Sequence, residues 1–367
     1  MHESARAPGT TAPPDTSSTA FGRIDTLADL QAHLQCAIEL EHAVLPPYLC
    51  ALYTLDPGRD PEAVAVMRSI VVEEMLHLTL VANMLNATGG RPEFDIPAML
   101  PGYPRPLPHG DASLSLALLP FGPEALAQLL AVERPELPGA APQADGYLTI
   151  GQFYAAIRQG VIDLCATLGE TAVFTGDPRR QVTSAFAYGG GGRIVAVDSL
   201  ATALDALAQI IEQGEGATPL DIWECDADSL EPASRDVAHY YRIHELQLRR
   251  RYRTGDTAAS GPTGEPIPFD PSGVLSPQFD TSEHPAGSAI TTARDAFDRT
   301  YSTLLGLLQS AFDGEPDTLG AAVGVMFQLK QQAEDLLRMS AGPGRTVGPL
   351  FRYVPLADRD PLAALTA

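Results

Sequence analysis

The sequence predicts an all-α protein, in which a four-helix bundle is interrupted by a long irregular insertion and followed by two extra C-terminal helices. Apolar residues recur at helical spacing over several long segments, whereas the alternation typical of strands is sparse. Four of these segments also place an acidic residue at or near the apolar stripe. With 45% hydrophobic residues, the 367-residue chain has enough apolar material for a sizeable core.

The first two bundle helices have clear start signals. One is expected over residues 27–55, with Thr26 or Asp25 as its N-cap. The other is expected over 61–88, because Asp60 can cap it and two glycines follow it.

Residues 91–148 form the irregular insertion. They are rich in Pro and Gly and contain one short helical piece near 123–132. So long a stretch without regular structure is usually a lid, a pocket wall or a covering loop. We therefore expect it to shape a substrate pocket, with Phe94 and Tyr103 in the wall.

The later helices follow from the same periodicity and from capping residues such as Thr149 and Ser199. They are predicted over residues 150–168, 199–214, 230–252, 288–313 and 316–340. The four-glycine run at 189–192 lacks the Lys-Ser/Thr of a phosphate-binding loop, so it is interpreted as a flexible turn.

The domain organisation expected from these elements has three parts. Residues 1–24 are rich in Ala, Pro, Thr and Ser and predict a disordered leader. Residues 25–253 are expected to form the four-helix bundle. Residues 254–367 form a linker and a helical extension that packs on the bundle.

Composition limits the partners and the compartment. A net charge of -22 argues against nucleic acid and anionic membranes as partners. The cysteines form no Cys-x-x-Cys pair and predict reduced, buried thiols: Cys36, Cys50, Cys165 and Cys225. No apolar run reaches the ~20 residues that span a bilayer, and the N-terminus does not resemble a secretory signal. A cytoplasmic protein is expected; a homodimer is left open.

Acid-x-x-His pairs are the most informative motifs. Glu74 and His77 lie on the apolar stripe of the second helix, and Asp236 and His239 lie on that of a later helix. Residues three apart share one helix face, so each pair can direct a carboxylate and an imidazole to the same point.

Two further helices each add a carboxylate. Glu41 lies in the middle of the apolar face of the first helix, where an isolated charge would be too costly. Tyr48 lies two turns along the same face, where it could contact a ligand or substrate. In the helix at 199–214, Glu212 lies at the edge of the stripe and is favoured over Glu215.

Together these side chains predict a carboxylate-bridged two-metal site, with Glu41, Glu74, His77, Glu212, Asp236 and His239 as ligands. The mixed carboxylate and imidazole set suits two iron ions, or manganese, better than structural zinc. For any one of these residues alone, a hydrogen-bonded core position would be the ordinary interpretation. The coincidence of four such helices favours the metal site.

Several strings also resemble a known family. Residues 37–49 (AIELEHAVLPPYL) resemble the first helix of the ferritin-like domain of iminophenylpyruvate dimer synthases, the family of the large enzyme of violacein assembly. Residues 73–90, 151–154, 211–216 and 238–242 are similar to its later blocks. The resemblance implies a ferritin-like bundle, iron, and the ligands Glu41, Glu74, His77, Glu212 and His239. The sequence departs from the pattern at Asp236, where Glu is expected.

The function expected is that of a non-haem di-iron oxidase or oxygenase, with Tyr48 as a catalytic residue beside the metals. Its partners would be dioxygen and a small amino-acid-derived amine or imine from specialised metabolism. The alternative is a ferritin-like iron-binding or scaffold protein without an organic substrate. Haem held by one of the inward histidines is a smaller alternative.

Overall fold

The computed structural model describes residues 22–185, 191–216, 221–223, 237–279 and 284–359. Over these residues the α-helices are α1 Leu27–Tyr53, α2 Pro61–Ala87, α3 Pro123–Val132, α4 Ile150–Leu168, α5 Glu170–Val173, α6 Leu200–Glu215, α7 His239–Leu248, α8 Ala289–Phe312 and α9 Thr318–Arg338. The strands are short: β1 Arg105–Pro106, β2 Ser115–Leu116, β3 Pro277–Gln278, β4 Ser340–Gly342 and β5 Arg345–Val347. The predicted mainly α architecture is confirmed.

Helices α1 and α2 pack along each other and supply much of the bundle core. A capping box opens α1: Asp29 N donates to Thr26 Oγ1 (3.1 Å), and Thr26 N donates to the Asp29 carboxylate (2.9 Å). Asp60 occupies the N-cap position of α2 but makes no capping bond with its side chain. Its carboxylate instead accepts from Asp270 N at 2.7 Å, so Asp60 attaches the later linker to the bundle.

The insertion contributes to the bundle core as well as covering it. Helix α3 has the predicted bounds and packs against α7 and α1. Phe94 and Tyr103 do not line the pocket described below, contrary to expectation. Phe94 stacks on Phe312 with ring centroids 5.2 Å apart, and the Tyr103 hydroxyl donates to the Ala43 carbonyl at 2.8 Å.

Helix α7 is shorter than predicted. The prediction ran over 230–252, of which 230–236 lie outside the described residues. Val237 forms an isolated antiparallel bridge with Trp223, and Ala238 N donates to the Ile222 carbonyl at 3.0 Å. These extended contacts occupy the backbone before His239, so α7 begins there with Ala238 as its N-cap.

The C-terminal extension shares the core of the bundle. Helices α8 and α9 pack on each other and contact α2 and α1, while β5 pairs in parallel with β3 and antiparallel with β4. One continuous set of buried apolar residues runs from Ile24 to Phe351.

Two further expectations concern the cysteines and the membrane. Cys36, Cys50 and Cys165 are free thiols on buried helix faces, as predicted, and Cys225 lies outside the described residues. Along the described chain, we find no helix that combines the length and apolar character required to cross a bilayer.

Candidate metal centre

Five buried side chains converge between α1, α2, α3 and α7. The first group is Glu41, Glu74 and His77, and the second is Glu74, Glu133 and His239. Within each group, one ligand atom per residue lies within 4.8 Å of the others. Glu74 belongs to both groups, so one carboxylate is placed between two positions where a cation could bind.

A small cavity of about 30 Å³ lies among these side chains. All five line it, together with Tyr154 from α4 and with Ile210, Ile211 and Gly214 from α6. A cavity needs roughly 10–15 Å³ to hold one water-sized occupant, so this one has room for about two. All five converging side chains are at most 7% exposed.

His77 is held by a contact outside the cavity. Its Nε2 donates to Oε1 of Gln213 at 2.9 Å, and the Gln213 amide nitrogen donates to the Gly191 carbonyl at 2.8 Å. The other ring nitrogen, Nδ1, lies 3.6 Å from Glu41 Oε2 and 3.7 Å from Glu74 Oε2. The ring is therefore fixed with Nδ1 directed at the carboxylates.

His239 has the same arrangement. Its Nε2 donates to Glu73 Oε2 at 2.8 Å, and Glu73 in turn accepts from the guanidinium of Arg242. Its Nδ1 lies 2.8 Å from Glu74 Oε1 and 3.8 Å from Glu133 Oε2. Among the described residues this buried nitrogen makes no hydrogen bond of good geometry.

Two tyrosines bind the outer oxygens of the carboxylates. The Tyr48 hydroxyl donates to Glu133 Oε1 at 2.5 Å, and the Tyr154 hydroxyl donates to Glu41 Oε1. Both tyrosines are almost completely buried. Each fixes one carboxylate so that its second oxygen can face the cavity.

The electrostatics of the cluster are those of mutually neutralising charges. Burial raises the pKa of Glu41 to about 7. Burial alone would raise the pKa of Glu74, but His239 and His77 hold it well below its usual range. Burial alone would lower the pKa of His77, whereas Glu41 and Glu74 raise it to about 10. A bound cation would displace the imidazole protons and take over this neutralising role.

The donor set fits a two-metal carboxylate site. Metal-binding histidines commonly donate their second ring N–H to a carboxylate or carbonyl, as His77 and His239 both do here. The buried Nδ1 of His239 makes no hydrogen bond to any described residue, as expected of a nitrogen that could bind a cation. Three carboxylates and two imidazoles suit iron or manganese.

The structure brings together four of the six predicted ligands: Glu41, Glu74, His77 and His239. Glu212 is half-buried in the last turn of α6, and its carboxylate is not in either group. The next residue, Gln213, is rotated by about 100° around the helix axis, and its side chain is the one that contacts His77. The side chain of Glu215 and all of Asp236 lie outside the described residues. The assignments of Glu212 and Asp236 as ligands stay predictions, as does the catalytic role of Tyr48.

The sequence alone does not identify Glu133 and Tyr154 as site residues. Glu133 follows the last residue of α3, a short helix in the insertion, so no long apolar stripe marks it. In the sequence, Glu133 is marked only by its position directly after the last apolar residue of α3, Val132. Tyr154 lies on the buried face of α4, whose apolar residues recur at helical spacing. At such a position an aromatic residue is ordinarily predicted to be part of the hydrophobic core.

Comparisons with known proteins identify relatives of this chain. The chain is 25% identical to dichlorochromopyrrolate synthase from Lentzea aerocolonigenes over 401 residues, covering 91% of this chain and 37% of that protein. It is 24% identical to 2-imino-3-(indol-3-yl)propanoate dimerase from Chromobacterium violaceum, covering 89% of this chain and 34% of that protein. The chain thus spans about a third of the length of these relatives. Both matches confirm the resemblance seen in the sequence.

A solved structure supports the fold. A ferritin-like protein from Caulobacter vibrioides superposes with a TM-score of 0.61 at 23% identity, covering 89% of this chain and all of that one. The family model described as ferritin-like matches residues 34–248, which include all five converging side chains. The chain belongs to the ferritin-like family.

Proposed function

We propose that the protein is a non-haem di-iron oxidase that uses dioxygen to oxidise a small amino-acid-derived amine or imine. The observation that carries the proposal is the position of Glu74, which is shared by two groups of buried ligand atoms. A shared carboxylate between paired acid and imidazole ligands is the pattern of di-metal sites in helical bundles. Two iron ions held there would supply electrons for the reduction of dioxygen.

The chain's own residues have distinct roles in this proposal. Glu41 and His77 would hold one cation, Glu133 and His239 would hold the other, and Glu74 belongs to both groups of ligand atoms. Glu73 and Gln213 keep the two imidazoles oriented. Tyr48 and Tyr154 hold the outer carboxylate oxygens and could exchange a proton there. The buried walls exclude bulk water from the cavity.

The substrate class is supported by the relatives. One is named for a 2-imino acid and the other for a chromopyrrolate product, and the chain aligns with both over about nine-tenths of its length. We extend to this chain only a shared preference for amino-acid-derived nitrogen compounds. The transformation itself, whether coupling, desaturation or oxygenation, is a separate question for product analysis.

Anaerobic loading of the full chain with ferrous iron tests the proposal. We expect about two iron ions per chain, as in other di-metal bundles, and dioxygen uptake that rises when an amine or imine substrate is added. Glu74→Gln should lose most of the iron, whereas Glu62→Gln, on the same helix but 44% exposed, should keep it. A chain that binds no iron under any condition would refute the proposal.

The same experiment separates the alternative. Dioxygen uptake that depends on free ferrous iron and is unchanged by every organic compound would favour iron handling without an organic substrate. Unchanged metal content and phenotype in His77→Ala would favour a scaffold.

A further inference from the structure

The metal cavity is partly exposed on the side where α4 begins and α6 ends. Of the described residues that line it, Ile150, Ile211 and Gly214 are half-buried, whereas the others are buried. Ile150 is the first residue of α4, and Ile211 and Gly214 lie near the C-terminal end of α6. Over the described part of the chain, solvent therefore comes closest to the cavity at the gap between these three residues.

The α4 side of this gap is held in place by hydrogen bonds. Gln152 N donates to Oγ1 of Thr149, the N-cap of α4, at 3.2 Å. The Gln152 side chain donates to the Ala141 carbonyl at 2.9 Å, and the Gln152 carbonyl accepts from Gln143 N at 2.9 Å. Ile150 lies between two residues that these bonds fix, so α4 and the insertion together set its position at the gap.

On the α6 side, nothing in the described structure requires glycine at position 214. Gly214 has no positive φ angle, and a Cβ built on it would meet no described atom within 4 Å. Gly216, two residues later, differs, because its φ is 103° and a Cβ there would clash with the Asp221 carbonyl oxygen. Glycine inside a helix is less stable than alanine, since it loses more backbone freedom on folding. The local effect of Gly214 is therefore the open space that it leaves beside the cavity.

The cavity itself is too small to take in an organic substrate. Its volume of about 30 Å³ holds about two water-sized occupants, which is the space that two cations would fill. An organic molecule must then meet the site from the gap, with only its reacting group directed inward. The three gap residues are uncharged, so dioxygen and neutral groups can cross between them without the cost of removing water from an ion.

We propose that the gap between Ile150, Ile211 and Gly214 is the entrance to the metal cavity, and that the missing side chain at position 214 sets the size of the molecules that enter. Dioxygen passes through this entrance, and the reacting group of the substrate is placed at its mouth. The route of dioxygen and substrate rests on the proposed oxidase function, whereas the entrance itself is a property of the two helix ends.

The entrance can be tested without any metal. Ile210 is 3% exposed and lines the cavity, so Ile210→Cys places a thiol on the inner wall. The metal-free full chain is treated with methyl methanethiosulfonate, a small uncharged thiol reagent. Peptide mapping by mass spectrometry separates labelling at position 210 from labelling of the native cysteines. Gly151→Cys, on the buried α4 wall, provides a second probe position if Ile210→Cys does not fold.

Two further substitutions, each added to Ile210→Cys, should change the labelling rate in opposite directions. Gly214→Leu should slow labelling about tenfold or more, which corresponds to about 1.4 kcal/mol or more in the barrier for passing the added side chain. Ile211→Ala should speed labelling, because it widens the gap. A general loss of packing would speed labelling in both chains, so slowing by Gly214→Leu is the specific result.

The matched control is Gly324→Leu. Gly324 is an exposed glycine inside α9, and a Cβ built on it also meets no described atom within 4 Å. This variant should leave the labelling rate at position 210 unchanged. Circular dichroism of each variant checks that the helices are retained.

The outcomes separate the entrance from the proposed function. If the thiol on the inner wall is not labelled in the folded chain, or is labelled equally fast with and without Gly214→Leu, the entrance is overturned even if the chain binds iron and consumes dioxygen. Labelling that Gly214→Leu slows and Ile211→Ala speeds, in a chain that binds no iron, supports the entrance and refutes the oxidase.

Discussion

At the scale of single residues, the carboxylates at the centre of the bundle are those on the helix faces that point into its interior. Glu41 and Glu74 could be predicted because they interrupt long apolar stripes, where burial of an unneutralised charge is costly. Glu133 could not, because it lies just after a ten-residue helix whose placement against α7 is a tertiary property. Gln213 and Glu73, which orient the histidines, are likewise polar residues whose partners come from distant segments.

Glu133 should be needed for one of the two metals but not the other. Substitution Glu133→Gln removes the charge of a side chain found only in the group with Glu74 and His239. We expect iron content to fall from about two to about one per chain, because Glu41, Glu74 and His77 remain. Iron analysis after anaerobic loading and gel filtration measures this.

The matched control is Glu124→Gln, an exposed glutamate in the first turn of α3. It should keep the wild-type iron content. Retention of two tightly bound iron ions in Glu133→Gln would show that Glu133 is not a ligand, and would return Glu212 or Asp236 to consideration.

At the scale of helices and strands, the spacing of apolar residues predicts where each helix lies better than it predicts where each helix begins and ends. Helix α3 has its predicted bounds, and α1 and α2 differ from prediction by one or two residues at their C-terminal ends. Helix α7 differs more, because the Trp223–Val237 bridge competes for backbone that the apolar pattern assigned to a helix. Such a bridge depends on a strand partner elsewhere in the chain, so a local pattern does not reveal it.

The C-terminal end of α8 is fixed by a charged cluster at Asp313. Arg91 donates to its carboxylate through Nε (2.8 Å) and Nη2 (2.6 Å), and Arg180 donates at 3.0 Å. The hydrogen bond from Arg91 lowers the pKa of Asp313 below its usual 3.8, and a bond from Gln309 adds to this effect. The cluster joins the extension to the segments that follow α2 and α5.

Asp313→Asn should lower the free energy of unfolding at pH 7 by about 1 kcal/mol or less, since the pairs are largely solvated. A lowered pKa stabilises the folded state above 3.8, and that contribution is lost as pH falls through the folded-state value. The difference in the free energy of unfolding between wild type and variant should therefore shrink as the pH falls below 3.8. Urea unfolding at pH 7 and at low pH measures both values.

Asp317→Asn serves as the control, because Asp317 is exposed and its side chain makes no capping bond to α9. It should change stability little at either pH. If the difference in the free energy of unfolding between wild type and Asp313→Asn stayed constant as the pH fell well below 3.8, the lowered pKa of Asp313 would not contribute to stability.

At the scale of the whole molecule, the bundle and the C-terminal extension bury each other's apolar surface. Phe312 stacks on Phe94, its carbonyl accepts from Asn86 at 3.0 Å, and the Tyr301 hydroxyl contacts His42 Nε2 at 3.1 Å. The sequence predicted that an extension would pack on the bundle. The sequence could not predict which bundle residues would contact the extension, because it indicates only that those positions on α1 and α2 are buried.

Removal of residues 254–367 should leave a bundle that does not unfold cooperatively. Each large apolar side chain that loses its cover costs about 1.5–3 kcal/mol, and several lose it together, against a typical total stability of about 5–15 kcal/mol. Thermal unfolding followed by circular dichroism, with dye binding for exposed apolar surface, compares the fragment with the full chain.

A fragment 1–253 that melts sharply, stays monodisperse and loads iron normally would instead show that the bundle is an independent domain. The boundary at residue 253 would then be a domain boundary rather than a position inside one folding unit.

Gly191 and Gly192, interpreted from the sequence as part of a flexible turn, determine the proton position on the ring of His77, a candidate metal ligand. Both have positive φ angles, of 77° and 124°, and a Cβ at Gly192 would come within 2.9 Å of the Gln213 amide nitrogen. Because that nitrogen is engaged by the Gly191 carbonyl, the amide can offer only its oxygen to His77. His77 must then keep a hydrogen on Nε2, and in the neutral ring the lone pair belongs to Nδ1. The Gly191 carbonyl, which is not itself a candidate metal ligand, thereby selects the tautomer of the His77 ring. Sequence changes in this loop should therefore alter the affinity of the site for a cation without changing any candidate ligand.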